Sequence, residues 1–304
     1  MTAAAQHAER PSAGRPDLTA RSLATGRRIR NQLATAAIWF AVLLAIIPLA
    51  LITYTVIVKG AGVMSWEFLT DDIPNSYRRR EGGMGPAIVG TLLITGLATL
   101  LAVPLGIFGA IYLHEYGKQK PLARFIRMMA NVMTGVPSIV MGLFIYVSWV
   151  LLVKEQTGFA GALALACLML PVVIRSSEEM LRLVPDELRQ ASMALGARKW
   201  RTTLTVVLPA AISGITSGSL LAVARAAGET APIILVTGVV TSPNLNLFDG
   251  SNTALPAQIF RNASQPFVGA QARAWGAALT LIVIVLTFTI IARIIANRFA
   301  IKER

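Results

Sequence analysis

The sequence predicts an all-α integral membrane protein with six transmembrane helices, and three observations carry that prediction. Of 304 residues, 55% are hydrophobic and only 14% charged, with a mean hydropathy of +0.62, where a soluble globular chain carries roughly 25% charged residues. The apolar residues gather in runs near the ~20-residue length that crosses a bilayer. The basic residues lie between those runs. A formal net charge of +13 would otherwise point to nucleic acid, but a nucleic-acid binder clusters Lys and Arg on one face with polar or aromatic readers among them. Nucleic acid is therefore excluded as a partner, and membrane lipid is the expected surrounding. A disordered chain is excluded by the high hydrophobicity.

Residues 1–33 are rich in Ala, Arg, Ser and Gln, contain Pro11 and Pro16, and read as a disordered cytoplasmic tail. The first span, 34–58, stands behind that tail with no small-residue cleavage site after it, so it is a membrane helix and not a signal peptide. Further spans fall at 86–113, 128–153, 158–174, 206–240 and 274–297. The fourth is the shortest. Inside the third, Gly135 to Ile139 interrupts helical hydrogen bonding, either as a packing kink or as part of a pathway lining. The fifth would be about 52 Å long as one helix, well beyond the roughly 30 Å hydrocarbon core. Gly228, Glu229 and Pro232 interrupt it, so it is expected to be kinked or broken, with its tail bent back or projecting.

Orientation follows from the loops. With the N-terminus in the cytoplasm, 20 of the 28 basic residues fall on the inner side and seven outside, which places both termini inside. The remaining one, Arg225, sits within a span.

Several chemistries are absent. Two histidines, His7 and His114, cannot build a metal cluster or a catalytic triad, and a single cysteine, Cys167, allows no intramolecular disulfide or multi-cysteine metal site. Gly117-Lys118 is followed by Gln119 and lacks the phosphate-loop pattern. No catalytic residue, metal or cofactor is expected, and a membrane-embedded enzyme would need a constellation that is missing.

The segment 178–206 joins the fourth and fifth spans. Pro185, Asp186 and Glu187 signal a helix start and Gly196 a sharp stop, with Leu188, Ala191 and Leu195 on one thin face. A second amphipathic stretch, Arg198 to Val206, leads into Leu208-Pro209. Such a two-helix element suits docking into a groove of a soluble partner, or lies on the lipid surface. Gln190-Ala191-Ser192, then Gly196, Val206, Leu208 and Pro209, resembles the loop motif of ABC-importer permeases, Glu-Ala-Ala through Gly to Ile-x-Leu-Pro. Gln190 replaces the usual Glu and Ser192 the second Ala. The resemblance implies a type I ABC-importer permease fold over 86–304 and a coupling-helix loop seated in a cleft of an ATPase subunit.

Arg225 and Glu229 stand at i, i+4 inside an apolar run. Each charge costs about 2.5–3.5 kcal/mol at the centre of a span, so such residues face a cavity or a bundle interior. Arg before acid is the poorer order for helix support. The pair reads as an ion pair fixing this subunit to another, or as part of an anion path in which the guanidinium offers several donors. Arg175, at the inner end of the fourth span, is a second cation on that path or an ordinary positive-inside flank. A carboxylate beside the anion suggests selectivity: phosphate carries a P–OH that can donate to Glu229, and sulfate does not.

Arg225-Ala-Ala-Gly-Glu229-Thr-Ala-Pro232, Pro171-Val-Val-Ile-Arg175-Ser-Ser-Glu-Glu-Met and Met133-Thr-Gly-Val-Pro-Ser-Ile-Val-Met-Gly142 together resemble the PstA-type permease family of phosphate ABC importers, from about Gly85 to the C-terminus. That resemblance implies a permease subunit of an ATP-driven phosphate importer in the bacterial plasma membrane. It implies a homologous PstC-type permease, two ATPase subunits and an extracytoplasmic phosphate-binding protein as partners. It also implies roles for Arg175 and Arg225 in phosphate passage. A sulfate or molybdate permease of the same superfamily is the alternative. A secondary transporter is a further one, though the two halves show no evident self-similarity.

Overall fold

The computed structural model describes residues 25–79 and 81–299, and falls into two units, residues 1–54 and 55–304. Among the described residues all regular structure is helical. Among the described residues five helices are long and apolar enough to cross a bilayer, or six if one sharply bent pair counts as a single span.

Helix α1 spans Thr25–Ala61, with Pro48 inside it. It starts nine residues before the expected first span, so the tail read over 1–33 is helical from Thr25; residues 1–24 lie outside the described residues. Gln32, Leu33 and Ala34 are good helix formers with no breaker before Pro48, and the helix continues through them. In the second unit, the short helix α2 (Trp66–Thr70) is capped by Ser65, whose hydroxyl accepts from the Phe68 amide at 3.1 Å.

The centre of the second unit is α3 (Gly85–Gly117) packed along α6 (Gly158–Leu183). Ala98, Ala102, Gly106 and Ala110 repeat every four residues on α3 and are all buried. Water-driven burial is missing between membrane helices, so close packing of small residues takes its place. A Cβ at Gly106 would lie 2.8 Å from the Cβ of Val173 on α6. The hydroxyl of Thr157 caps α6 by accepting from the Ala160 amide. α6 runs nine residues past the expected end at 174, because Arg175 to Leu183 is a helix-compatible sequence without Gly or Pro.

The expected third span, 128–153, is not one helix. It is α4 (Pro121–Gly135) followed by α5 (Ser138–Val153), bent by 108° at Val136-Pro137. Pro137 disfavours the helical conformation of the residue before it, and Val136 is extended at ψ 131. The expected fifth span is also broken. α8 runs without interruption over Lys199–Ala227, and α9 over Ala231–Val236 packs back against α5 and α6. Gly214 and Gly218 of α8 lie against Met180 and Ser176 of α6. The helices α7 (Asp186–Ala194), α10 (Leu255–Ala263) and α11 (Val268–Phe299) complete the described structure. Residues 300–304 of the expected core lie outside it.

Candidate functional site

The two helix breaks meet. Gly142 of α5 touches Pro232 at the start of α9 so closely that a Cβ there would lie 2.5 Å from the Pro232 Cα. Beside this contact lies a cavity of about 240 Å³. Met133, Thr134, Val136, Pro137 and Ser138 line it from the first break; Ala222, Arg225, Ala226 and Glu229 line it from the second. Leu168, Met169 and Val172 of α6 supply the remaining wall. The interruption expected at Gly135 to Ile139 is a sharp kink, and Val136 to Ser138 of it line this cavity.

Arg225 is in the last turn of α8, and Glu229 follows the Gly228 cap, its amide bonded back to the Ala226 carbonyl at 3.1 Å. Arg225 Nε lies 3.5 Å from Glu229 Oε1. That is long for a hydrogen bond. The arginine side chain is 73% exposed and the carboxylate 19%. Among the described residues no hydrogen bond occupies the guanidinium, so its donors point into an open site. An exposed arginine near the end of a helix long and apolar enough to span a bilayer cannot face lipid at low cost.

Arg175 is not in this cavity. It is exposed and lines a second one, about 260 Å³, toward the end of α6 that leads into the loop, with His114, Asn131, Glu179 and Arg182. Because α6 continues to Leu183, Arg175 is inside the helix and not at its end. The two cavities are neighbours along the same helix pair. Val172 and Arg175 are three residues apart on α6, and Asn131 and Thr134 three apart on α4, so each pair shares a face about one turn apart. In the second cavity Arg127 is fully engaged: Nε donates to Glu178 Oε1 at 2.6 Å, Nη1 to the Lys118 carbonyl and Nη2 to the Leu113 carbonyl. No ion pair within 4.0 Å involves Arg175 or Arg182 among the described residues.

Several of the loop residues are exposed. Gln190 and Ala191 are exposed on α7, as are Leu188 and, at 90%, Leu195. Gly196 turns the chain at φ +86, a conformation other residues adopt at a cost of roughly 1–2 kcal/mol. Ser192 Oγ pairs with Thr202 Oγ1 at 2.9 Å, holding the two arms of the loop together. Leu208 and Pro209 are not in the loop. They lie within α8, directly after a π-helical turn at Thr203–Val207. Proline has no N–H to give the helix ladder, and the wider turn precedes it.

Sequence reasoning missed Arg189. It is buried among the loop residues and bonded to Glu115, 74 positions away. No local spacing signals such a pair.

Residues 102–301 match the family described as binding-protein-dependent transport system inner membrane component. The phosphate transport system permease protein PstA 1 of Mycobacterium tuberculosis (strain CDC 1551 / Oshkosh) is 43% identical over 290 residues, 93% of either chain. The PstA protein of Yersinia pestis is 39% identical over 276 residues, 88% of this chain and 90% of that one. Among solved structures, a bacterial alginate ABC transporter chain superposes with a TM-score of 0.63 at 15% identity, covering 88% of this chain and 95% of that one. A chain of the MetNI methionine ABC transporter in inward-facing form gives 0.56 at 18% identity, covering 72% and 95%. These structures establish the fold, and the curated relatives narrow the family. The chain belongs to the inner-membrane components of binding-protein-dependent transport systems and, within them, to the PstA-type permeases, a transport subunit and not an enzyme.

Proposed function

We propose that this chain is the permease subunit of an ATP-driven inorganic phosphate importer and forms half of its translocation path. The observation that carries the reading is the Arg225–Glu229 pair, held where two helix breaks meet, with its guanidinium donors unoccupied and one side of the cavity open. A planar, permanently charged guanidinium suits an oxyanion. Near neutral pH phosphate keeps at least one P–OH, which donates to Glu229, whereas sulfate meets an unsatisfied carboxylate. Arg175, one turn along α6, receives the anion next. A second, homologous PstC-type permease covers the open side.

As an ABC-importer permease the chain works with another permease, an ATPase and a substrate-binding protein. In this proposal two ATPase subunits dock on the loop 178–206 through Gln190, Ala191, Ser192 and the turn at Gly196, and their closure reaches the membrane through Leu208 and Pro209 of α8. An extracytoplasmic phosphate-binding protein delivers the substrate on the opposite face. The protein resides in the bacterial inner membrane as a multi-pass subunit, with both termini and residues 1–33 in the cytoplasm.

The test is ATP-dependent uptake of labelled phosphate by the assembled complex in liposomes. Uptake that tenfold excess sulfate leaves unchanged is the expected result. ATP-dependent sulfate uptake without phosphate uptake would overturn the substrate assignment. Retained phosphate uptake in Arg225→Ala would overturn the site. Glu229→Gln is expected to narrow the preference for phosphate over sulfate; unchanged selectivity sinks the role of the carboxylate.

A further inference from the structure

Arg189 lines neither of the cavities that hold Arg225 and Arg175, yet it makes more polar contacts than any other side chain among the described residues. Nε donates to Glu115 Oε1 at 3.1 Å in the π-helical turn that ends α3. Nη1 donates to the Val184 carbonyl at 2.6 Å and to Asp186 Oδ1 at 3.0 Å. Nη2 donates to the Leu181 carbonyl at 2.8 Å and lies 3.2 Å from His114 Nε2. A guanidinium has donors only, so that histidine nitrogen is the acceptor. Lys199, on the other arm of the loop, donates to the backbone carbonyl of the same Glu115.

The position of these bonds matters more than their number. α7 is bounded by two chain joints: extended Val184 and Pro185 before it, and Gly196 in a left-handed turn after it. Across the second joint, α8 runs unbroken from Lys199 to Ala227 and carries Arg225 near its far end. Motion of the loop therefore reaches one wall of the cavity through covalent helix. The wall beside it is Leu168, Met169 and Val172 of α6, and α6 is separated from α7 by the first joint. Arg189 bridges that joint. It ties α7 to two carbonyls at the end of α6 and to the end of α3, and α3 and α6 are packed along their lengths.

We propose that Arg189 is a positioning residue for transport: a strut that makes α6, which lines the anion cavity, and the α3 packed along it move with the loop, while α8 moves the Arg225 wall. This rests on the reading of the loop as the ATPase docking surface. Without the strut, force applied to Leu188, Ala191 and Leu195 would pivot α7 about Val184-Pro185 and reach α6 only indirectly, through its side-chain packing against α8. ATP would still be hydrolysed, but the cavity would open incompletely.

The experiment measures phosphate uptake per ATP hydrolysed in the full complex in liposomes, together with the amount of ATPase subunit that co-purifies. Arg189→Lys keeps a charge beside Glu115, but one ammonium cannot serve the acceptors on α3 and α6 together. Its expected phenotype is normal assembly and hydrolysis with uptake per ATP reduced about tenfold, within the range of measured coupling between sites. A role in folding alone would lower uptake and hydrolysis together and leave the ratio unchanged. An unchanged ratio in an assembled Arg189→Lys complex overturns the proposal. If that variant does not accumulate, the ratio is read in the double variant Arg189→Gln with Glu115→Gln, which leaves no buried charge unpaired but cannot bond the α3 and α6 acceptors together, and a wild-type ratio there overturns it. Ala191→Glu separately tests the docking surface: wild-type co-purification of the ATPase subunit with this variant would overturn the docking reading, whatever Arg189 does.

Discussion

Arg189 with Glu115 and Arg225 with Glu229 are both arginine–carboxylate pairs in a largely apolar chain, and they are built in opposite ways. The first is enclosed, with side chains 11% and 6% exposed, and each guanidinium nitrogen has a partner. The second is loose at 3.5 Å, with its arginine 73% exposed and its donors unoccupied. Taking a charge out of water is costly unless its donors are met, and in the enclosed pair every guanidinium nitrogen of Arg189 is met. In the function proposed above, the open donors of Arg225 receive the anion, and the enclosed Arg189 is a structural tie; what the structure itself distinguishes is how completely each charge is already paired.

The comparison can be broken most directly by removing Arg189. Arg189→Met leaves Glu115 buried without its counter-charge, and loss of one partner of a buried pair costs about 3–5 kcal/mol. Chemical denaturation of the detergent-solubilised complex is expected to show that loss; a change under 1 kcal/mol would remove the distinction between the two pairs. Arg225→Ala is the mirror case. Its stability should change by less than about 1 kcal/mol, as for exposed ion pairs. Its interaction with the anion should weaken by about 1.5–3 kcal/mol, as for a charge-assisted hydrogen bond, read as at least a tenfold loss of phosphate uptake at subsaturating substrate.

Two glycines sharpen the comparison further by testing the frames that hold each pair. In Gly142→Ala the added Cβ meets the backbone of Pro232, which cannot rotate away. Overpacking of this kind costs about 1–3 kcal/mol, and the expected reading is a lower melting temperature together with reduced uptake, because the α5–α9 contact borders the Arg225 cavity. Gly196→Ala meets open space but keeps the φ +86 turn, so only the left-handed backbone is penalised, by about 1–2 kcal/mol. It should weaken retention of the ATPase subunit on co-purification while leaving the Arg225 cavity intact.

Much of the membrane architecture was legible beforehand because the bilayer imposes it locally. A run of about twenty apolar residues has few alternatives to a spanning helix, and Arg225 and Glu229 stood out because charge inside such a run is rare. The interruptions at Gly135 to Ile139 and at Gly228 to Pro232 were equally visible, since each combines Gly and Pro within five residues, although single prolines such as Pro48 and Pro171 stay inside helices. The right-angle bend between α4 and α5 was not legible. A break permits a range of angles, and here the packing of α5 against α6 and α9 selects 108°. The separation of Arg175 from Arg225 was hidden for a related reason: it depends on where α4 crosses α6, which neither helix encodes alone. Arg189 gave no signal because its main partner is 74 residues distant.

By itself, then, the sequence determined that this chain lives in a membrane, where its apolar runs lie and break, and which charged residues are out of place among apolar ones. These follow from hydrogen-bond satisfaction and burial, which act residue by residue along the chain. Tertiary structure alone decided that the two breaks meet at one cavity, that Arg225 stays open while Arg189 is closed off, and that Arg175 belongs to the neighbouring cavity. Those outcomes depend on which side chains approach one another across helices, and such contacts are set by close packing between distant segments, not by the order of residues within any one of them.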